Sequence, residues 1–489
     1  MTSLDHDDAT TLARSLSDLL RAAQQGLPAS GASELTAHIV DHIGCPLGDA
    51  PNVTTNFAGW ELVNLQRGVD AYLAARSPLA QWFGIAGSGR HHQDLVDMLT
   101  HSDQSGGYRL GAVDYTTVAT GPDSTTEAVQ LGLVRSVAPD GRPVVIVMRG
   151  QPEHHHGAGC SLRVLAASRE TATAVNAEVE RLMRIHDVFR SQVLSFDMSE
   201  HRGNEMVSFL PRPRLSADDV VLPDGVLAAI ERHVVRPAAV SELLTAHGQH
   251  LKRGLLLHGP PGTGKTHTVR YLLGRLTGAT VVVVSGRAMH LLPAAVTTAR
   301  RLTPSVVVFE DVDLVAEDRS FGQGGQPLLF ELLNRIDGVE ADIDVTFVLT
   351  TNRVAALERA LVDRPGPIDL AVEVPRPDAA GREKLLRLYA RSLTLNLPDA
   401  SRLVDATEGV TASFMRELVR RAVLRQLETT PPGRRVRLDE AALQAALDEL
   451  SGERQALTGS LLGVPPRQDR AGHGRAAGDP NDYPVTAPR

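Results

Sequence analysis

The run Gly254-Leu255-Leu256-Leu257-His258-Gly259-Pro260-Pro261-Gly262-Thr263-Gly264-Lys265-Thr266 leaves this chain little choice of fold. Its apolar start predicts a short buried strand. After it, Val269, Leu272, Leu273 and Leu276 recur at i, i+3, i+4 and i+7, which predicts an amphipathic helix. A glycine-rich loop of the spacing G-x-x-x-x-G-K-[ST] joins the two. Unpaired N–H groups and the helix dipole make such a junction an anion site, and its glycines let the backbone curl without a Cβ in the way. Lys265 is one of three lysines, with Lys252 and Lys384, in a chain that otherwise uses arginine. A slim ammonium reaches between two phosphates where a broad guanidinium fork collides with the loop. Gly259, Pro260, Pro261, Gly262, Thr263, Gly264, Lys265 and Thr266 are thus expected to cradle ATP. Lys265 would bridge the β- and γ-phosphates, and the Thr266 hydroxyl would ligate Mg²⁺.

With 489 residues, 42% hydrophobic and 22% charged, the chain is expected to form two or three globular domains. A net charge of −8 and a pI near 6.1 oppose a nucleic-acid partner. No stretch reaches 18 apolar residues and the first eight residues are acidic, so no membrane insertion and a cytoplasmic location are expected. Two cysteines, Cys45 and Cys160, read as reduced thiols.

The expected organisation has five parts. Residues 1–105 read as mostly helical, with Leu12, Leu16, Leu19 and Leu20 on one face. Residues 106–214 read as an α+β recognition domain and linker. Its strands are expected at Tyr108–Tyr115, Val129–Val134, Val144–Met148, Leu162–Leu165, Val193–Phe196 and Met206–Leu210, with a helix at Arg169–Asp187; Pro211-Arg212-Pro213 marks the linker. Residues 215–375 alternate strands and helices. The near-continuous Val and Leu runs at Leu255–Leu257, Val281–Val284, Val306–Phe309 and Val345–Leu349 suit a parallel sheet covered on both faces. Residues 376–452 read as helical, and 453–489 as a disordered tail.

The strand Val306-Val307-Val308-Phe309 runs into Glu310-Asp311-Val312-Asp313. A nucleotide-hydrolysing site needs one carboxylate for the Mg²⁺ shell and one for the attacking water, and a strand ending at the sheet's carboxyl edge delivers both. Asn352, after the strand Val345–Leu349, is placed to contact the γ-phosphate or orient the water.

Taken in order, these pieces resemble the AAA family of ATPases. Lys252-Arg253 into the phosphate loop, Asn334-Arg335-Ile336-Asp337-Gly338-Val339, Thr351-Asn352-Arg353, Arg364-Pro365-Gly366 and Val374-Pro375-Arg376-Pro377-Asp378 each resemble a family segment, over about 215–450. The resemblance implies a P-loop NTPase parallel sheet with a helical lid, behind an α+β N-terminal domain. It also implies ATP and Mg²⁺ as cofactors and a homo-hexameric ring. Within the ring Arg364 of a neighbour completes the site, and the N-terminal domain takes a protein client. By position, Lys265, Glu310, Asp311, Asn352 and Arg364 are the catalytic set, with Thr266 and Glu310 on the metal.

Three departures qualify the resemblance. The acidic pair is Glu-Asp rather than the usual Asp-Glu, a reversal shared with the branch resembling the mitochondrial Rieske-protein translocase. Pro367 replaces the second of two arginines, leaving Arg364, or Arg359 in a shifted register. No aromatic pore loop is present, and Met289-His290-Leu291-Leu292 reads as a buried helix turn. These leave an alternative function open, a nucleotide-gated scaffold with little hydrolysis. Elsewhere, His154-His155-His156 reads as a polar loop rather than a metal site with Cys160. Gly84–Gly89 reads as a helix connection. Arg416, Arg420, Arg421 and Arg425 read as a solvated face or subunit seam of a lid helix.

Overall fold

The computed structural model describes residues 15, 33–91, 93–105, 107–150, 159–197, 207–285, 288, 291–313, 334–353, 368–429 and 436–461. They fall into two compact units, Met1–Pro375 and Arg376–Arg489.

The first unit holds two seven-stranded sheets. The N-terminal one is antiparallel throughout, in the order β1 (Asn52–Phe57), β7 (Cys160–Ala166), β6 (Pro143–Arg149), β5 (Ser124–Val137), β2 (Trp82–Ala86), β3 (Arg109–Gly111). β4 (Asp114–Gly121) also pairs with β5. Helices cover both faces, and β6 shows the consequence. Val144, Ile146 and Met148 face a core containing Leu65 and Val69 of α2 (Leu62–Arg76), with Val175 and Val179 of α4 (Arg169–Ile185). Val145 and Val147 face the other, with Leu35 and Ile39 of α1 (Glu34–Ile43) and Met98 of α3 (Leu95–Ser105). Period-two alternation therefore reads as a continuous apolar run because both sides are dry.

One expectation is refined here and another changes. Among the described residues before 105, the helices α1, α2 and α3 are joined by two sheet strands, β1 and β2. β1 carries the β-branched run Val53-Thr54-Thr55 in an alternately exposed edge pattern. Gly84-Ile85-Ala86 is strand rather than a helix connection. A Cβ on Gly84 would lie 1.8 Å from the Ala112 carbonyl oxygen, so glycine there serves close backbone approach.

The second sheet runs β14 (Leu370–Glu373), β10 (Arg253–His258), β13 (Val345–Thr351), β12 (Ser305–Phe309), β11 (Thr280–Val284), β8 (Val193–Phe196), β9 (Val207–Leu210). All neighbours are parallel except β8 and β9. One face packs on α5 (Val226–Ala239) and α7 (Lys265–Arg275), the other on α8 (Leu292–Arg301). Between α5 and β10 lies the short α6 (Ser241–Ala246).

β8 and β9 were expected in the N-terminal module but extend the nucleotide sheet. Register explains it: Val193, Leu194, Ser195 and Phe196 pair with Val281, Val282, Val283 and Val284. The modules also share a core. Val63, with Trp60 packed against it, joins Leu194, Phe196 and Val282, and Trp60 meets Phe196 edge-on at 5.9 Å. Arg301 of α8 bridges the acids of the N-terminal module, 2.8 Å from Glu61 and 3.0 Å from Asp187. Nor is Pro211-Arg212-Pro213 a free linker. Arg212 donates to the carbonyls of Leu273 (2.7 Å), Leu276 (3.0 Å), Ala279 (2.8 Å) and Ser191 (3.0 Å). It thereby satisfies the carbonyls that the C-terminus of α7 leaves open.

The second unit is helical: α9 (Ala379–Tyr389), α10 (Ser401–Ala406), α11 (Ala412–Thr429) and α12 (Glu440–Leu461), with a parallel pair β15 (Thr394–Asn396) and β16 (Arg437–Asp439). Met415, Leu418 and Ala422 of α11 and Leu443 and Ala446 of α12 are buried. Three of the four arginines on the basic side of α11 are ion-paired. Arg420 and Arg421 pair with Glu417, and Arg421 and Arg425 reach Glu449.

Candidate functional site

Three adjacent strands, β10, β13 and β12, run parallel, and their carboxyl ends carry the predicted chemistry. His258 lies in register with Thr351, and Phe309 with Leu349. The turn after β10, the residue after β13 and the acids after β12 therefore open at one edge. This is where an open α/β sheet binds its ligand.

The phosphate loop departs from β10 at Gly259, whose φ of 138° no ordinary residue adopts easily. A Cβ there would lie 2.4 Å from the Val374 carbonyl oxygen. Gly262 and Gly264, at 76° and 113°, complete the curl. α7 then starts at Lys265 with Gly264 as N-cap and no side chain capping its amides. That positive helix end is what a phosphate group fits. Lys265 lies back along the loop, its Nζ donating to the carbonyls of Gly259 (2.8 Å) and Pro260 (2.9 Å). Burial lowers its pKa, while the carboxylates of Asp311 and Asp313 raise it. Thr263 donates to the Pro260 carbonyl at 2.9 Å, bracing the loop's tip, and Thr266 is exposed beside it.

On the acidic side, Glu310 and Asp311 follow the fully buried Phe309. Asp311 has a φ of 50°, a left-handed conformation that aspartate tolerates better than most residues. Its amide donates to Thr350 Oγ1 at 2.9 Å, and its carboxylate accepts from Asn352 Nδ2 at 3.2 Å. Burial raises the Glu310 pKa, the Asp311 charge adds to that, and Arg270 offsets part of it. Glu310 and Asp311 supply two adjacent carboxylates, the oxygen ligand type that suits a hard divalent cation such as Mg²⁺.

Asp313 was not singled out by sequence. It is buried, and its Oδ1 accepts from Thr351 Oγ1 and from the Asn352 amide, both at 3.0 Å. It locks the end of β13 to the acidic turn and so fixes where Asn352 points. The third acid in Glu310-Asp311-Val312-Asp313 and the paired Thr350-Thr351 were the available signals. The structure thus brings the loop, Glu310, Asp311 and Asn352 together. Arg364, Arg359 and Pro367 lie outside the described residues, as do Met289, His290 and His154–His156. Leu291 and Leu292 are buried. Cys160 is buried, donates its thiol to the Ala58 carbonyl at 3.4 Å, and has its pKa pushed up by burial to about 12. Among the described residues no cluster of three or more His, Cys, Asp or Glu side chains could hold a metal ion, and no helix is long and apolar enough to cross a membrane.

Residues 255–376 match the family model described as "ATPase family associated with various cellular activities (AAA)". The chain is 32% identical over 249 residues to an ATP-dependent zinc metalloprotease FtsH of Synechococcus sp. (strain JA-2-3B'a(2-13)), covering 48% of this chain and 38% of that protein. It is 33% identical over 180 residues to a 26S proteasome regulatory subunit 8 homolog of Schizosaccharomyces pombe, covering 34% and 44%. Over 201 residues it is 32% identical to a proteasome-activating nucleotidase of Methanoregula boonei, covering 38% and 45%. It spans less than half the length of each of these three. Residues 255–376, which carry the phosphate loop and the strand-terminal acids, are thus similar to an AAA ATPase domain.

Proposed function

We propose that this chain binds and hydrolyses ATP with Mg²⁺ to remodel a protein client. The observation that carries the reading is the convergence of the phosphate loop, Glu310, Asp311 and Asn352 at one edge of three parallel strands. Lys265 and the first amides of α7 bind the β- and γ-phosphates, exchanging the loop carbonyls for phosphate oxygens. Thr266 and Glu310 would hold Mg²⁺, which supplies charge neutralisation on the phosphates when bound. Asp311 accepts a proton from the attacking water, and Asn352, held by Asp313, keeps that carboxylate in line. Arg364 of an adjoining subunit stabilises the developing charge in a homo-hexamer. The N-terminal module receives the client, and residues 376–452 act as the lid. The core that the N-terminal module shares with the nucleotide sheet favours transmitting nucleotide-dependent change to that module directly. The relatives named as proteasome subunits and as an ATP-dependent protease support a protein substrate. Purified protein should turn over ATP, and Lys265→Ala should not; equal turnover in both refutes the reading.

A second reading, a nucleotide-gated scaffold, is favoured by one feature. The Asp311 carboxylate is already engaged by Asn352 in the reversed pair. Asp311→Glu separates the two readings, since a scaffold with a misplaced base should gain turnover.

A further inference from the structure

A second polar recess lies on the N-terminal sheet, remote from the phosphate loop in sequence. A cavity of about 200 Å³ opens between α3 and strands β5, β6 and β7, lined by Asp94, Leu95, Met98, Val147, Arg149 and Arg163. Arg149 and Arg163 line it with Asp94, and Arg90 adjoins it through its backbone carbonyl. Arg90 is held in a fork by Asp114, at 2.9 and 2.8 Å. Arg163 is held the same way by Asp94, at 3.0 and 2.6 Å. Arg149 is the odd cation. Its guanidinium donates Nη2 to the Arg90 carbonyl at 2.6 Å, a neutral acceptor, and among the described residues no carboxylate forms an ion pair with it. Burial lowers its pKa, with the Arg163 charge acting in the same direction and Asp94 in the opposite one. A guanidinium carries five N–H donors, so most of those on Arg149 are available to a ligand. A half-buried cation without an ion-pair partner among the described residues carries a desolvation cost that a bound anion would offset.

We propose that this recess binds a carboxylate carried by a peptide, with Arg149 as the recognising cation. A recess of about 200 Å³ has room for a side chain or a chain terminus. The planar fork of Arg149 matches a carboxylate in two parallel N–H···O bonds. Leu95, Met98 and Val147 give the recess apolar walls suited to an aliphatic side chain beside that carboxylate. Two sources present such a group, a chain's C-terminus and an acidic side chain. The inference deepens the reading of the N-terminal module as the client-receiving part and gives that client a chemical handle.

The test uses the full chain without nucleotide, so its outcome is independent of ATP hydrolysis. Fluorescence anisotropy would compare a neutral labelled decapeptide ending in leucine with a free carboxylate, its C-terminal amide, an amidated form with an internal glutamate, and one with an internal phosphoserine. We expect one of the two carboxylate peptides to bind at least ten-fold tighter than the plain amide, and which one does so identifies the source. Arg149→Gln should abolish the difference. Ser161→Asp, directly across the strand pair from Arg149, should abolish it too by supplying an internal partner, with an unchanged or higher melting temperature. This second variant decides the matter if Arg149→Gln folds poorly. Equal binding by all four peptides, tighter binding of the phosphopeptide, or unaltered discrimination in Ser161→Asp overturns the proposal.

Discussion

In the N-terminal sheet every pairing is antiparallel, so paired strands end at opposite edges and no edge collects the carboxyl ends of neighbouring strands. In the nucleotide sheet β14, β10, β13, β12, β11 and β8 all point one way, and their carboxyl ends gather at a single edge. Both sheets are covered on both faces, and their central strands are equally dry. Direction, rather than burial, decides which one can bring a phosphate loop, two acids and an asparagine together. The antiparallel sheet's polar feature, around Arg149, sits instead on a sheet face beside a helix.

The largest effect that would sharpen this contrast belongs to the parallel edge. Asp311→Asn should lower ATP turnover about a thousand-fold, about 4 kcal/mol of barrier, with nucleotide affinity retained. Single-turnover hydrolysis and equilibrium binding measure the two separately. On the antiparallel side, Gly84→Ala should cost about 3 kcal/mol of stability, because its Cβ meets the Ala112 carbonyl. Its folded fraction should still bind nucleotide normally, as denaturant titration with and without ATP would reveal. If binding fails in proportion to the lost stability, the sheets are one cooperative unit and the contrast weakens.

Arg301→Ala tests the joint between them. It leaves Glu61 and Asp187 buried without their cation, and should destabilise the chain by about 2 kcal/mol, discounted because Arg301 is partly exposed. Burial already raises the Asp187 pKa despite Arg301. A group with a raised folded pKa contributes its stability at low pH and loses it as pH rises through that value. The loss in Arg301→Ala should therefore be larger at pH 8 than at pH 5. The smallest effect concerns Asp94, whose pKa the hydrogen bonds from Arg163 lower. Its contribution is present above the unfolded value near 3.8 and fades as pH falls through the folded one. Because the carboxylate is nearly half exposed, Arg163→Gln should flatten the acid limb of the stability curve by well under 1 kcal/mol.

The same contrast explains what could be read from sequence. Strands buried on both faces announce themselves as apolar runs, and β8, β10, β11, β12 and β13 were all found that way. Sheet membership is a different quantity. Val193–Phe196 looks alike whether it pairs with the strand before it or with Val281–Val284, so β8 and β9 were grouped with the wrong module. Edge strand β1 was missed because its alternation spans only six residues between helical stretches. At the candidate site, glycine spacing and strand-terminal acids made the loop, Glu310, Asp311 and Asn352 legible, since local chemistry demands those residues. Asp313 escaped because its role depends on a partner 38 residues away. The Arg212 strap escaped because a proline-flanked arginine reads as a linker until its four carbonyl acceptors are seen.

The central claim is that the carboxyl edge of the parallel sheet holds a magnesium-bound triphosphate on Lys265. Isothermal titration of MgATP into the folded full chain tests it most directly. The account predicts saturable binding at submillimolar concentration, weakened at least a hundred-fold in Lys265→Ala while the melting temperature without nucleotide is unchanged. Absence of binding to the wild-type chain at millimolar MgATP, or equal affinity in the variant, would contradict it.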